Sequence, residues 1–229
     1  MSSLTPQLAA TDLSQVHFWD RAARKYAADP IDDLAGYEHT LAQVAVRLRR
    51  NQSVLEIGCG TGTTALRLAG SVRNYVACDI SPGMITIAKE KLARQPVQAL
   101  HFVVADAQMP PTAPDIGVSP VKRFDVALAF NVLHLVPSLD TTLLAIRRVL
   151  PAGGLFISKT ACVREMNPLV AWVAIPVMRA IGKAPDVLVF DARELQKALE
   201  RNGFHVEVVQ RHGTRGKDIR VFMVARAVD

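Results

Sequence analysis

The stretch Val54 to Gly62 reads VLEIGCGTG, an apolar run that breaks into alternating glycines just before a segment able to form a helix. A strand that turns into a helix through such a loop belongs to the α/β class, in which helices cover a largely parallel sheet. Glycine permits positive φ and removes the Cβ that would hold a ligand off the main chain, while the next helix points its unpaired N–H groups at the same spot. Gly58, Gly60 and Gly62 therefore predict a loop that can lie flat against a ligand. The spacing is GxGxG. It lacks the extra residue of the dinucleotide fingerprint and the lysine of a phosphate-cradling P-loop, which argues against dinucleotides and nucleoside triphosphates. Taken alone, the same glycines could make a generic tight turn.

The rest of the chain repeats this alternation. Short β-branched or apolar runs at Ser53 to Ile57, Asn74 to Asp79, Leu100 to Ala105, Phe124 to Phe130 and Gly154 to Lys159 read as buried strands. Between them, Thr63 to Ala69, Pro82 to Arg94 and Leu139 to Leu150 read as helices, the second opened by Ser81 as N-cap with proline in its first turn. Two further strands, Phe204 to Gln210 and Ile219 to Ala225, flank the polar HGTRGKD and predict an antiparallel hairpin. Residues 13 to 49 read as two helices ahead of the sheet. In such a fold ligands bind at the carboxyl ends of the strands, where the strand order reverses.

With 229 residues, half of them hydrophobic, the chain suits one domain with a helical elaboration. The expected division is a single domain over 1–229: a helical cap over 1–50, a ligand-binding core over 51–160, an apolar helical insertion or lid over 161–190, and a helix with a hairpin over 191–229. Within the insertion, Pro168 to Ile181 reads PLVAWVAIPVMRAI, too short and too broken by Pro176 and Arg179 for the roughly 20 residues of a membrane span. It suits either a wall of an apolar acceptor pocket or an ordinary buried helix, with membrane-surface contact as a weaker third reading.

The net charge of +6 is scattered without interleaved aromatics, so nucleic acid is not an expected partner. The three cysteines show no CxxC pairing and no metal-ligand spacing, so no metal is expected and reduced thiols are. The N-terminus lacks the pattern of a secretion signal, and the expected location is cytoplasmic.

Downstream of the glycine loop, Asp79 ends the second strand about twenty residues on, where a carboxylate can accept both hydroxyls of a ribose. A helix cap is its alternative role, and register with the loop favours the ribose. Asp106, in VVADAQ, stands where an adenine amino group would need an acceptor, with the Ala107 amide beside it. Met84 could pack on the base, or could be an ordinary buried helix methionine.

These landmarks resemble class I S-adenosylmethionine-dependent methyltransferases, whose motif I is similar to VLEIGCGTG almost letter for letter. CDIS, ADAQ, FDVALAFNVLHLV and LPAGG follow in the family's order over residues 52 to 160. The resemblance implies a Rossmann-like, seven-stranded, mostly parallel sheet of order 3-2-1-4-5-7-6, last strand antiparallel, with helices on both faces. It implies S-adenosyl-L-methionine as cofactor and S-adenosyl-L-homocysteine as product. Glu56 and the loop Gly58 to Gly62, Cys59 included, would hold the methionine portion, Asp79 the ribose, and Asp106 with Ala107 the adenine, with Ile80 among the cofactor-binding residues. Asn131 would lie beside the sulfonium.

Methyl transfer from a sulfonium chiefly needs alignment of the acceptor. Where a proton must leave, His134 in NVLH is the best-placed titratable group, although a merely packed histidine fits as well. Tyr26 and Tyr37, in the helices before the first strand, could close over the site and hydrogen-bond there, while Phe18 and Trp19 are expected to anchor those helices.

NVLH replaces the NPPY-like tetrad of enzymes that methylate nucleic-acid bases or glutamine. No loop resembles that of the RNA cytosine-5 enzymes with its catalytic cysteine. The expected acceptor is therefore a small molecule, methylated on O, N or C and aromatic or lipid-like, such as a quinone precursor or a phospholipid head group. The alternatives are a cofactor-binding but silent partner or regulatory subunit, and an aminopropyltransferase, which the lack of an acidic polyamine pocket disfavours.

Overall fold

Seven strands form one sheet in the order β3-β2-β1-β4-β5-β7-β6, as the motif pattern predicts. The computed structural model describes residues 13–111, 123–165, 185–214 and 220–229. In chain order the elements are α1 (Leu13–Ala28), α2 (Leu34–Ala45), β1 (Ser53–Ile57), α3 (Thr63–Leu68), β2 (Asn74–Asp79), α4 (Pro82–Arg94), β3 (Leu100–Val104), β4 (Val126–Phe130), α5 (Leu139–Val149), β5 (Leu155–Ala161), α6 (Ala192–Arg201), β6 (Phe204–Arg211) and β7 (Arg220–Ala227). The strands from β3 to β5 are mutually parallel, and β7 runs antiparallel to both β5 and β6. The apolar segment from Pro168 to Ile181 lies outside the described residues.

Strand burial follows position in the sheet. Every residue of β1 is buried and β4 is buried up to its last residue, because helices cover both faces of the centre. The edge strand β6 alternates instead, with Phe204 buried and His205 exposed. Leu55, Ile57, Val76, Leu143, Ile146, Leu195 and Leu199 pack one face, against α5 and α6. Val54, Tyr75, Leu128, Ile157 and Phe222 pack the other, against Leu41 and Val44 of α2 and Ile85 of α4.

Helix starts are chemically marked. The hydroxyl of Ser81 accepts the Met84 N–H at 3.1 Å, Ser138 caps α5 in the same way, and Asp191 with Glu194 forms a capping box on α6.

Most boundaries fall within two residues of the sequence expectation, and three of the shifts have a visible cause. Phe124 donates its N–H to Val149 at the end of α5, so β4 begins at Val126. Gly154 closes a turn onto the Pro151 carbonyl, and β5 begins at Leu155. β5 then continues to Ala161 because β7 pairs with it as far as Arg220.

The chain crosses from β3 on one side of β1 to β4 on the other, so the carboxyl ends of β1 and β4 flank the point where strand order reverses. No helix among the described residues is long and apolar enough to cross a membrane.

Candidate functional site

A cavity of about 790 Å³ opens at this point. The loops after β1, β2, β3 and β4 form its floor, and α1 and α2 lie over it. Gly58, Gly60 and Gly62 all have positive φ, at 63°, 53° and 76°, but they serve different ends. A Cβ on Gly58 would strike Val132, and one on Gly62 would sit 2.5 Å from Phe102 Cζ. Those two glycines make room for close packing, and Gly62 does not line the cavity. A Cβ on Gly60 would meet only Tyr26 Cε1, at 3.7 Å, so here the bare main chain faces open space. Cys59 between them donates its N–H to the Cys78 carbonyl at 3.0 Å and lines the cavity.

Asp79 binds this loop directly. Its Oδ2 accepts the Gly60 N–H at 2.9 Å and its Oδ1 the Ser81 N–H at 3.0 Å. Burial raises its pKa, and these two bonds oppose the rise. Ile80 and Met84 follow on the same wall. Met84 is also packed among Ala23, Ile87 and Trp19, so core packing and cavity lining coexist in one side chain. Asp106, buried after β3, accepts the Gln108 N–H at 2.8 Å through Oδ1, and Ala107 lines the cavity beside it.

Glu56 is the buried acid at the base. The Tyr75 hydroxyl donates to its Oε2 at 2.7 Å, but burial dominates and pushes the carboxyl up to about 8. Asn131 is the one non-glycine with positive φ among the described residues, at 54°, a conformation asparagine tolerates better than most. It stands directly after β4, tied by its N–H to the Lys159 carbonyl at 2.7 Å.

His134 lines the cavity with Nδ1 3.1 Å from the Thr160 hydroxyl, and burial pushes its pKa down to about 4. Tyr26 is 52% exposed and lies above Gly60, while the Tyr37 hydroxyl is 3.2 Å from that of Thr64. Trp19 meets Phe18 edge-on at 5.1 Å and Tyr26 at 6.4 Å, all within α1, and packs against Met84 and Ile87 of α4. All the cofactor-binding and catalytic candidates named from the sequence apart from Gly62 thus line one cavity.

The loops that floor this cavity lie in the part of the chain that resembles known proteins. The family model described as a methyltransferase domain matches residues 55–156, the span that carries the glycine loop and both aspartates. The fatty-acid O-methyltransferase of Mycolicibacterium smegmatis is 36% identical over 151 residues, 65% of this chain and 48% of that protein. Residues 55–156 thus match a methyltransferase domain, and the chain shares the fold of solved S-adenosylmethionine-dependent methyltransferases. A highly reducing polyketide synthase from Fusarium is 36% identical over 121 residues, 49% of this chain and 5% of the synthase. The chain therefore spans about half, or a small fraction, of the length of the curated relatives it matches. The magnesium protoporphyrin IX methyltransferase of Synechocystis, solved with bound S-adenosylhomocysteine, shares the fold with a TM-score of 0.66 and 17% identity, covering 94% of this chain and 97% of its own.

Two features of the site escape sequence reading. Asp20 of α1 accepts both the Ser81 hydroxyl, at 2.5 Å, and the Gly83 N–H, at 2.8 Å, clamping the cap helix onto the start of α4. The second is a polar wall opposite the glycine loop, where Thr40, Lys159 and Arg220 line the cavity. Nothing in GLFISKTA marks Lys159 as an inward-facing group, because its burial depends on α2 folding over the sheet.

Proposed function

We propose that this protein transfers a methyl group from S-adenosylmethionine to an oxygen, nitrogen or carbon atom of a small acceptor with an apolar, aromatic or lipid-like body. The observation that carries the proposal is the cavity at the point where strand order reverses. Its floor presents open main chain at Gly60 beside the Asp79 carboxylate, and the segment that ends β4 and follows it adds Phe130, Val132, Leu135 and Val136 to the lining. At about 790 Å³ it lies in the upper part of the range for small-molecule sites.

The residues present fit the cofactor. Gly60 lets a flat ligand approach the loop, Asp79 has the acceptor capacity for ribose hydroxyls, and Glu56 is the buried acid on the side of the methionine portion. Asp106 and Ala107 would read the adenine edge, with Ile80 and Met84 supplying apolar contact to the nucleoside. When bound, the sulfonium supplies an already activated methyl group. Asn131 would border the reacting atoms. His134, neutral at physiological pH, would take a proton from an acceptor that must lose one. Tyr26, Tyr37 and Trp19 would exclude water from above.

The fatty-acid O-methyltransferase among the relatives supports an acceptor with an acyl-like body. All three cysteines are buried and unbridged, which supports a reducing, cytoplasmic setting.

The test offers methyl-labelled S-adenosylmethionine with a panel of phenols, amines, thiols, carboxylates and lipids. Label should move to a member with an apolar body. Binding of S-adenosylhomocysteine without transfer to any of them would favour the silent-partner alternative, and failure to bind it would overturn the proposal.

A further inference from the structure

Asp20 lies midway along α1 and uses one oxygen, Oδ1, for two bonds, from the Ser81 hydroxyl at 2.5 Å and from the Gly83 N–H at 2.8 Å. The carboxylate thus sits at the N-terminus of α4, where unpaired N–H groups and the helix dipole favour an anion. Ser81 is fully buried and passes the contact on. Its N–H donates to Asp79 Oδ1 at 3.0 Å, and Asp79 Oδ2 in turn accepts the Gly60 N–H at 2.9 Å. An unbroken chain of hydrogen bonds, Asp20–Ser81–Asp79–Gly60, therefore joins the cap helix to the glycine loop. If α1 leaves, the Ser81 hydroxyl loses the acceptor for its proton, because its oxygen is already taken as an acceptor by the Met84 N–H at 3.1 Å.

Gly83 makes this contact sterically possible. A Cβ there would lie 3.0 Å from Asp20 Oδ1, 3.4 Å from Asp20 Cα and 3.5 Å from Ala23 Cβ. Glycine is a poorer helix former than alanine, so the close approach of α1, and not the helix itself, accounts for the residue. The Arg24–Glu90 ion pair also joins α1 to α4, but at 3.6 Å and in solvent it contributes little. α1 brings Trp19, Tyr26 and Ala27 to the cavity, with Tyr26 above Gly60, so anything lying on the glycine loop is covered by this helix.

We infer that Asp20 is a positioning residue that latches α1 over the bound cofactor and acts through Ser81 on Asp79, so that the cofactor enters and leaves as Asp20 releases Ser81 and Gly83. The inference rests on the proposed ribose role of Asp79 and adds to it the control of cofactor exchange. Coupling of this kind is reciprocal. A ribose that fixes Asp79 holds Ser81 in place for Asp20, and a seated α1 slows the departure of the cofactor beneath it.

Surface plasmon resonance on the full chain reads the binding and release rates of S-adenosylhomocysteine. Asp20→Ala should speed release at least about tenfold, as loss of a charged hydrogen bond requires, without slowing association. Asp20→Asn keeps an acceptor oxygen at the same place and should restore most of the slow release. Gly83→Ala, a change that favours the isolated helix, should speed release as well, because its methyl pushes Asp20 away. Hydrogen exchange supplies a readout that simple destabilisation would not move: S-adenosylhomocysteine should slow exchange of the α1 amides in wild type and leave it unchanged in Asp20→Ala. Release from Asp20→Ala at the wild-type rate, or α1 amides indifferent to S-adenosylhomocysteine in wild type, would overturn the inference. Should Asp20→Ala fail to fold, Gly83→Ala decides, and a wild-type release rate in it overturns the latch. Failure of wild type to bind S-adenosylhomocysteine at all would remove the proposed function together with the latch, whereas tight binding with unaltered rates in the variants removes the latch alone.

Discussion

The Asp79 carboxylate accepts the Gly60 N–H at 2.9 Å, so the end of β2 holds the loop that follows β1 in its cavity-facing conformation. The same side chain is the proposed ribose acceptor. Asp79→Ala should therefore lose the charged bonds to the cofactor, worth about 1.5 to 3 kcal/mol, or roughly 10- to 150-fold in affinity for S-adenosylhomocysteine. It should also lower the melting temperature, because the N–H groups of Gly60 and Ser81 lose their acceptor. Calorimetric titration and a thermal melt check both, and wild-type affinity in the variant would remove Asp79 from the site.

Two glycines of one loop should fail in opposite ways. Gly62→Ala puts a methyl 2.5 Å from Phe102 and 2.9 Å from Ala88, in a left-handed conformation, and overpacking plus backbone strain should cost roughly 2 to 5 kcal/mol of stability. Gly60→Ala meets nothing closer than Tyr26 at 3.7 Å, so strain alone, about 1 kcal/mol, is expected. Its methyl instead projects into the space proposed for the cofactor. Melting curves should single out Gly62→Ala, and binding of S-adenosylhomocysteine should single out Gly60→Ala.

That contrast marks what a sequence of this kind discloses. Strand positions were legible because central parallel strands are buried on both faces and read as continuous apolar runs, as VLEI and VALAF do. Helix starts were legible from local chemistry, Ser81 and Pro82 above all. The glycines looked alike because φ is positive at all three; which one opens to the cavity depends on Val132, Phe102 and Tyr26, placed from three other elements. Asp20 and Lys159 were not legible at all. Their partners Ser81 and Thr40 lie 61 and 119 residues away, and no local pattern encodes such a pairing.

Glu56 should make cofactor binding release a proton. Burial lifts its carboxyl from the usual 4.5 to about 8, so the free protein holds it protonated at neutral pH. An ammonium arriving beside it would favour the ionised form and expel that proton. Binding enthalpies of S-adenosylhomocysteine at pH 7 should accordingly differ between phosphate and Tris buffers by the buffers' ionisation heats. Glu56→Gln should abolish the difference. The same shift sets a stability trend: the folded state binds this proton more tightly than the unfolded one, so the contribution is complete below about pH 4.5 and is lost as pH rises towards 8. Glu56→Gln should flatten the decline across that window.

His134 has the opposite sign. Its folded pKa of about 4 lies below the usual 6.5, because burial disfavours the imidazolium. Between those values the unfolded chain binds the proton and the folded chain does not, so stability is complete above about pH 6.5 and falls as the pH drops towards 4. Urea melts over this range should show the acid slope in wild type and a shallower one in His134→Gln. For the reaction, a base already neutral at pH 6 means that its titration leaves no limb in the rate profile between pH 6 and 8. His134→Gln should lower kcat for a proton-losing acceptor by about 10²-fold or more with the affinity for S-adenosylhomocysteine unchanged. A kcat like wild type in that variant would assign His134 to packing against Thr160 and leave proton removal to solvent.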